Sequence, residues 1–121
     1  MPSVAGRNIL VVEDEAAISL DLKGAVEALG ATVIGPCASV GTALDALGRH
    51  RVDCALLDIQ LGTQRSDAIA VALRSLKIPF IFVTGYSEAK VPQGFEDQPM
   101  VQKPYEPQRL LTLIADIFRD G

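Results

Sequence analysis

The stretch ILVVED, Ile9–Asp14, joins a short apolar run directly to two acidic side chains. Three further apolar runs also end in an ionisable or hydroxyl side chain: Leu56-Leu57 before Asp58, Phe82-Val83 before Thr84, and Met100-Val101 before Gln102-Lys103-Pro104. In an open parallel sheet, the residues just beyond the carboxyl ends of the strands line a common crevice. We therefore expect three carboxylates, a hydroxyl and a lysine to meet in one crevice.

The apolar pattern around these runs alternates between strand and helix. Strands are predicted at Ile9–Val12, Thr32–Ile34, Cys54–Leu57, Phe80–Val83 and, briefly, Met100–Gln102. Helices are predicted at Ala16–Leu29, at about Val40–Leu47 after a Ser39 N-cap, from Ser66 or Asp67 through Leu76, and from Pro107 onward. Five strands that alternate with helices favour a parallel three-layer α/β domain, and 121 residues fit one domain, 1–121.

The segment Ser87–Pro99 interrupts this alternation. A fourth helix is expected between the fourth and fifth strands, but the two prolines and Gly94 of this segment oppose one. We expect a turn of helix at most. In the helices that are predicted, the spacing places Leu44 and Leu76 on buried faces.

Composition narrows the classes of function. The formal net charge is −4, which provides no basic field for nucleic acid. No signal-peptide pattern occurs near Met1, and no apolar stretch is long enough to span a membrane. Cys37 and Cys54 occupy predicted buried positions without metal-ligand spacing, which indicates reduced thiols in a cytoplasmic protein. We therefore expect neither direct nucleic-acid binding nor membrane insertion.

The predicted acidic cluster needs a cation. Packing three carboxylates together costs repulsion and desolvation unless positive charge compensates. Mg²⁺, or Mn²⁺ in its place, fits because Mg²⁺ binds a few carboxylate oxygens together with waters and phosphate oxygens. We expect Asp14 and Asp58 as direct ligands, the backbone carbonyl of Gln60 as a third ligand, and Glu13 acting through a water.

A lysine and a hydroxyl complete the predicted site. Lys103 would bind a phosphoryl oxygen and pair with Asp58 in the resting state, and the Lys103–Pro104 bond is a candidate cis bond. Thr84 ends its strand before Gly85 and would donate a hydrogen bond to the phosphoryl group. Taken alone, each residue also has an ordinary explanation, as a solvated lysine and as a threonine chosen for strand propensity.

Together, Glu13-Asp14, Asp58, Thr84 and Lys103-Pro104-Tyr105 resemble the site of a bacterial two-component response-regulator receiver domain, over essentially the full chain. The resemblance implies a flavodoxin-like, doubly wound sheet of five parallel strands in the order 2-1-3-4-5. It implies that Asp58 takes a phosphoryl group from a sensor histidine kinase or a histidine phosphotransfer protein, which changes binding to a downstream protein partner. Such a domain is a switch and not an enzyme, with only self-phosphorylation and slow autodephosphorylation. Homodimer formation is left open.

Two stretches have a narrower resemblance. Pro79–Tyr86, PFIFVTGY, and Asp58–Gly62, DIQLG, are similar to the FAT GUY subgroup of receivers. Members of that subgroup often have a degenerate fourth helix, and several act in general stress signalling. The resemblance implies both properties for this chain.

The residues that would carry the switch depart from the usual pattern. Many receivers have an aromatic switch residue three positions before the lysine, where this chain has Met100. Movement of Thr84 toward the phosphate would instead reset the loop that holds Tyr86. We hypothesise that Tyr86 slows hydrolysis by crowding the attacking water, so an unchanged aspartyl-phosphate lifetime in Tyr86→Ala would refute the idea. Partner binding is expected on the last helix and on Tyr86–Pro99.

Two other functions remain as alternatives. A Mg²⁺-dependent phosphatase of the haloacid-dehalogenase type also uses Asp, Thr and Lys, but its nucleophile follows the first strand and has a second Asp two residues later. Here that position after Asp58 is Gln60. A binding-only pseudo-receiver that has lost phosphorylation is the second alternative, although all the residues needed for phosphorylation are present. Neither glycine fingerprint of a dinucleotide-binding or P-loop protein occurs.

Overall fold

Seven strands and four helices occur in residues 4–85 and 91–119, the part of the chain that the computed structural model describes. In chain order they are β1 (Asn8–Val12), α1 (Ala16–Ala28), β2 (Thr32–Cys37), α2 (Val40–Arg49), β3 (Cys54–Leu57), β4 (Gln60–Leu61), β5 (Gln64–Arg65), α3 (Asp67–Ser75), β6 (Phe80–Thr84), β7 (Met100–Gln102) and α4 (Pro107–Ile117). None of the helices in these ranges is both long and apolar enough to cross a bilayer.

Five strands form one parallel sheet in the order β2-β1-β3-β6-β7. Counting only the strands of this sheet, the order is 2-1-3-4-5, which confirms the predicted doubly wound, flavodoxin-like fold. The register aligns the carboxyl ends, because Val12 pairs with Leu57 and Leu57 with Phe82. Side chains that follow these strands therefore emerge at one edge of the sheet.

Helices cover both faces of the sheet and bury alternate strand residues. On one face, Leu10, Leu57 and Phe82 pack with the buried residues of α2 and α3. On the other face, Val11 and Leu56 pack with the buried residues of α1 and α4. A strand that is buried on both faces is apolar at every position, and for that reason the continuous apolar runs predicted the central strands β1, β3 and β6 correctly.

The second strand is longer than predicted. It continues through Gly35 and Pro36 to Cys37, with a register shift between Leu10 and Val12 of its neighbour. Gly35 adopts φ +97°, a conformation that favours glycine, and Pro36 is tolerated because it lies at an irregularity of an edge strand. The strand predicted from the sequence therefore ended too early, at Ile34.

Two local predictions about the helices are wrong and one is confirmed. Leu44 and Leu76 are 38% and 55% exposed, so they do not lie on buried faces. Leu76 is the C-cap residue of α3, which ends at Ser75. The Ser39 N-cap is confirmed as part of a capping box, in which its Oγ accepts a hydrogen bond from the Thr42 amide at 3.2 Å.

The connection between β6 and β7 has no helix in its described part, residues 91–99, which supports the predicted degenerate fourth helix. Phe95 fastens this segment to the core, because its ring is 5% exposed and contacts Phe80 and Phe82 with centroid distances of 6.0 Å and 6.5 Å. Residues 86–90, including Tyr86, lie outside the described residues.

Candidate functional site

Polar side chains collect in a cleft where the strands of the sheet end. The cleft has a volume of about 500 Å³ and is lined by Asp14, Glu15, Asp58, Gln60, Gly62, Gly85 and Lys103. These residues follow β1, β3, β6 and β7 in the chain. Of the side chains predicted to meet here, Asp14, Asp58 and Lys103 line the cleft.

Three carboxylates form the acidic part of the site. One oxygen each of Glu13, Asp14 and Asp58 lies within 4.8 Å of the other two. Glu13 and Asp58 are only 2% and 5% exposed, whereas Asp14 is exposed to solvent. Two of the three carboxylates thus have little access to bulk water, so a nearby positive charge matters for them.

Lys103 supplies that charge. Its Nζ lies 3.1 Å from Asp58 Oδ2 and 2.5 Å from Glu13 Oε1, and its side chain is 8% exposed. The predicted pair with Asp58 is confirmed, and the Lys103–Pro104 bond is cis as anticipated. The pair with Glu13 was not predicted from the sequence.

Burial controls the protonation of these groups. Desolvation raises the pKa of Glu13 to about 7, aided by the nearby charge of Asp58 and opposed by Lys103 and by the Glu15 amide. Burial alone would lower the pKa of Lys103, but its contacts with Glu13 and Asp58 outweigh that effect and raise it. The ammonium is therefore held in its charged form, and Glu13 is the group that titrates near neutral pH.

The loop after β3 donates backbone hydrogen bonds to two of the carboxylates. The Gln60 amide donates to Asp58 Oδ1 at 3.2 Å, and the Gly62 amide donates to Asp14 Oδ2 at 2.8 Å. Gln60 and Gly62 belong to the hairpin of β4 and β5, which the sequence analysis did not predict. Main-chain donors leave little trace in a sequence, and the one signal was Gly62, whose φ of +58° suits a tight turn.

The predicted switch residues differ in their location. Thr84 is 1% exposed and is not among the described residues that line the cleft, although its carbonyl accepts a hydrogen bond from the Lys103 amide at 2.7 Å. Met100 lies on the edge strand β7 and is 41% exposed. Tyr86, the alternative ring, lies outside the described residues.

The donor set fits a hard divalent cation. Carboxylate oxygens are what Mg²⁺ and Mn²⁺ bind, and one ammonium does not balance three carboxylates. Glu13 Oε1 is buried, and its partner among the described residues is the ammonium of Lys103, with which it forms an ion pair. A buried carboxylate oxygen in that state is suited to a hydrogen bond from a metal-bound water.

Comparison with known proteins agrees with this geometry. Residues 9–115 match the family model of the response regulator receiver domain. The chain is 35% identical over 112 residues to the phyllosphere-induced regulator PhyR of Methylorubrum extorquens, an alignment that covers 88% of this chain and 42% of PhyR. The chain thus spans less than half the length of that relative.

Solved structures with the same fold include two similar regulators. SdrG from Sphingomonas melonis Fr1 superposes with a TM-score of 0.83 at 35% identity, over 95% of this chain and 98% of SdrG. A structure of SdrG from Pseudomonas melonis Fr1, described as its BeF3-activated conformation, gives 0.77 at 34% identity, over 94% and 98%. A structure described as the PhyR stress response regulator gives a TM-score of 0.78 at 30% identity, over 93% of this chain and 45% of PhyR.

Proposed function

This chain belongs to the response regulator receiver domain family, and we propose that it is a phosphorylation-dependent signalling switch with Asp58 as the phosphoryl acceptor. One observation carries the proposal. The Lys103 ammonium contacts both Asp58 and Glu13 at the base of the acidic cleft, where it offsets the charge of the acceptor and lies ready for a phosphoryl oxygen.

Asp58 acts as the nucleophile. One of its carboxylate oxygens attacks phosphorus in line and forms the new P–O bond of an acyl phosphate. The P–N bond to the donor imidazole breaks and its electron pair stays on that nitrogen. The other ring nitrogen of the donor carries a proton, so the histidine leaves as a neutral imidazole. Among the described residues, Asp58 Oδ1 accepts from the Gln60 amide and Oδ2 from Lys103, so the attacking oxygen gives up one of these two partners.

Lys103 and Thr84 act on the oxygens of the transferred group. Phosphoryl transfer depends mostly on positioning and charge neutralisation, and Lys103 exchanges its contact with Asp58 for one with a phosphoryl oxygen. Thr84 donates its hydroxyl to a second oxygen. Because Thr84 is buried beside the cleft, this bond requires a displacement at the end of β6, and that displacement is the start of the switch.

The acidic residues would hold the cation. Asp14, Asp58 and the Gln60 carbonyl would bind Mg²⁺ or Mn²⁺ directly, and Glu13 would bind it through a water. When bound, the ion would supply charge neutralisation for the carboxylates and the incoming phosphoryl oxygens. The burial of Glu13 and the clustering of three carboxylates support this assignment.

We propose a phosphohistidine on a sensor kinase or phosphotransfer protein as the donor and a second protein as the downstream partner. The partner surface comprises α4 and residues 86–99, and a footprint confined to α1 and α2 would contradict it. The likeness to a regulator described as a stress response protein favours general stress signalling, in line with the FAT GUY resemblance.

We propose that the protein acts in the cytoplasm. Cys37 and Cys54 are free and buried, as expected in that reducing compartment.

Binding of beryllofluoride, a mimic of the phosphoryl group, tests the proposal. With Mg²⁺ present, we expect the NMR amide signals of Gln60, Gly62 and Gly85 to shift, and the shifts to vanish in Asp58→Asn. Asp45→Asn, which changes an exposed carboxylate on α2, is the matched control and should respond like the unsubstituted protein. Lack of any response in the unsubstituted protein would favour a binding-only module, and multiple turnover of a phosphate ester would favour the phosphatase.

A further inference from the structure

The hydroxyl of the buried Ser66 forms hydrogen bonds to the loop after β3 and not to the helix that follows it. Ser66 stands at the N-cap position of α3 and is fully buried, yet its side chain makes no cap hydrogen bond to that helix. Its Oγ lies 2.5 Å from the Asp58 carbonyl oxygen and 3.1 Å from the Ile59 carbonyl oxygen, and it donates to both. The hydroxyl therefore serves the acceptor loop and not the helix.

This contact fixes the backbone of Asp58. The strand β3 ends at Leu57, so the Asp58 carbonyl has left the hydrogen-bond ladder of the sheet. On the amide side, Asp58 still donates to the Val12 carbonyl at 3.1 Å. Ser66 holds the carbonyl side, and the acceptor is thus tied at both ends of its residue.

The same contact closes the β4–β5 hairpin at its base. The Ser66 amide donates to the Ile59 carbonyl at 2.9 Å, in addition to the two bonds of the hydroxyl. Between these ends lie Gln60 and Gly62, whose amides donate to Asp58 and Asp14. A displacement of Ser66 would therefore change the hydrogen bonds to two predicted metal ligands, Asp58 and Asp14, although Ser66 itself is not among the residues that line the cleft.

We infer that Ser66 is a positioning residue for phosphorylation, acting through the backbone of Asp58 and through the hairpin. The inference rests on the proposed role of Asp58 as acceptor. In-line attack depends strongly on geometry, and a buried carbonyl that loses its donor moves toward another one. Removing the hydroxyl should therefore slow the transfer itself more than it weakens binding of the phosphodonor.

The test compares three variants with the unsubstituted protein, using acetyl phosphate and saturating Mg²⁺, with the adduct followed by intact mass. Ser66→Ala removes the donor, and Ser66→Cys keeps a side chain of similar shape with a weaker donor. Ser39→Ala is the control, because it removes another N-cap hydroxyl, on α2, outside the cleft. Each rate is measured against acetyl phosphate concentration, so that the maximal rate and the half-saturating concentration are separated, and urea unfolding gives the stability.

We expect the maximal rate to fall about tenfold in Ser66→Ala and by less in Ser66→Cys, with little change in half-saturation. Ser39→Ala should lose stability and keep its rate. Equal maximal rates in Ser66→Ala and the unsubstituted protein would overturn the inference, and if Ser66→Ala does not fold, Ser66→Cys decides in the same way. No adduct on the unsubstituted protein would instead overturn the proposed function, and the inference with it.

Discussion

Glu13 is the residue at which stability and function oppose each other most directly. A carboxyl buried at 2% exposure would be more stable neutral, and burial raises its pKa to about 7. A metal-bound water and Lys103 both favour the ionised form. The fold therefore carries an unfavourable charge at neutral pH that a bound cation would relieve, a common feature of functional sites.

Glu13→Gln tests this balance in metal-free protein. The pKa of Glu13 is 4.5 in the unfolded chain and about 7 in the folded protein. Between these two values the folded protein binds more protons than the unfolded chain, so the contribution of Glu13 to stability falls as the pH rises from 4.5 to about 7. The variant has no such group. From pH 5 to pH 8 its free energy of unfolding should therefore rise relative to the unsubstituted protein, by about 1 kcal/mol or more.

Urea unfolding in the presence of a chelator measures that difference at each pH. Asp45→Asn, at an exposed carboxylate on α2, is the control and should follow the unsubstituted protein across the range. A constant difference between Glu13→Gln and the unsubstituted protein would contradict the raised pKa.

Side-chain members of the site were predictable, and its backbone members were not. Asp14, Asp58 and Lys103 were found because each follows a predicted strand, and the topology brings strand ends together. The Glu13–Lys103 pair depends on side-chain directions that strand order does not specify. Gly62 acts through its amide, and Ser66 has the sequence signature of an ordinary helix cap, so neither role could be inferred from residue type.

At the scale of the elements, Gly35 is the position where the backbone of β2 depends on glycine. A Cβ there would lie 2.7 Å from the Cys37 amide nitrogen and 3.0 Å from the Val11 carbonyl oxygen, at a φ of +97°. We expect Gly35→Ala to lower the free energy of unfolding by about 2 kcal/mol or more.

Gly24→Ala is the matched control for this prediction. Gly24 lies within α1, and a Cβ there would meet nothing within 4 Å. Alanine should therefore raise the free energy of unfolding by about 0.5–1 kcal/mol, because it favours the helix over the unfolded chain. Equal changes in the two variants, measured by urea unfolding, would refute the structural reason given for Gly35.

Arg74 holds the segment that replaces a fourth helix. Its guanidinium donates to the Gly94 carbonyl at 2.8 Å and stacks over the Phe95 ring at 3.7 Å from the centroid. We expect Arg74→Ala to cost about 1 kcal/mol and to speed amide hydrogen exchange in residues 91–99. The proline and glycine content correctly predicted that the described residues 91–99 contain no helix, but it did not indicate this contact of Arg74.

Arg49→Ala provides the comparison for Arg74. Arg49 also lies on a helix and forms an ion pair, with Asp45, but its side chain is 73% exposed. Its replacement should change stability by less than about 0.5 kcal/mol and leave exchange in residues 91–99 unaltered. Unaltered exchange in Arg74→Ala as well would mean that Phe95 alone fixes the segment.

At the scale of the whole molecule, the sequence predicted the fold because its three central strands, β1, β3 and β6, are almost entirely buried. Such strands are continuous apolar runs, and in the helices between them the apolar residues recur with a 3.6-residue period. The order of the elements could therefore be predicted from the sequence. The two-residue strands β4 and β5 are too short to produce any period. The extension of β2 was hidden by Gly35 and Pro36, which usually end strands.

The proposed function requires Asp58 to accept a phosphoryl group in a metal-dependent reaction. Intact mass after incubation with acetyl phosphate and Mg²⁺ tests this requirement, with Asp58→Asn and metal omission as controls. We predict one phosphoryl adduct on the unsubstituted protein that is lost in both controls. An adduct that persists in Asp58→Asn, or none on a folded, Mg²⁺-loaded unsubstituted protein, would contradict it.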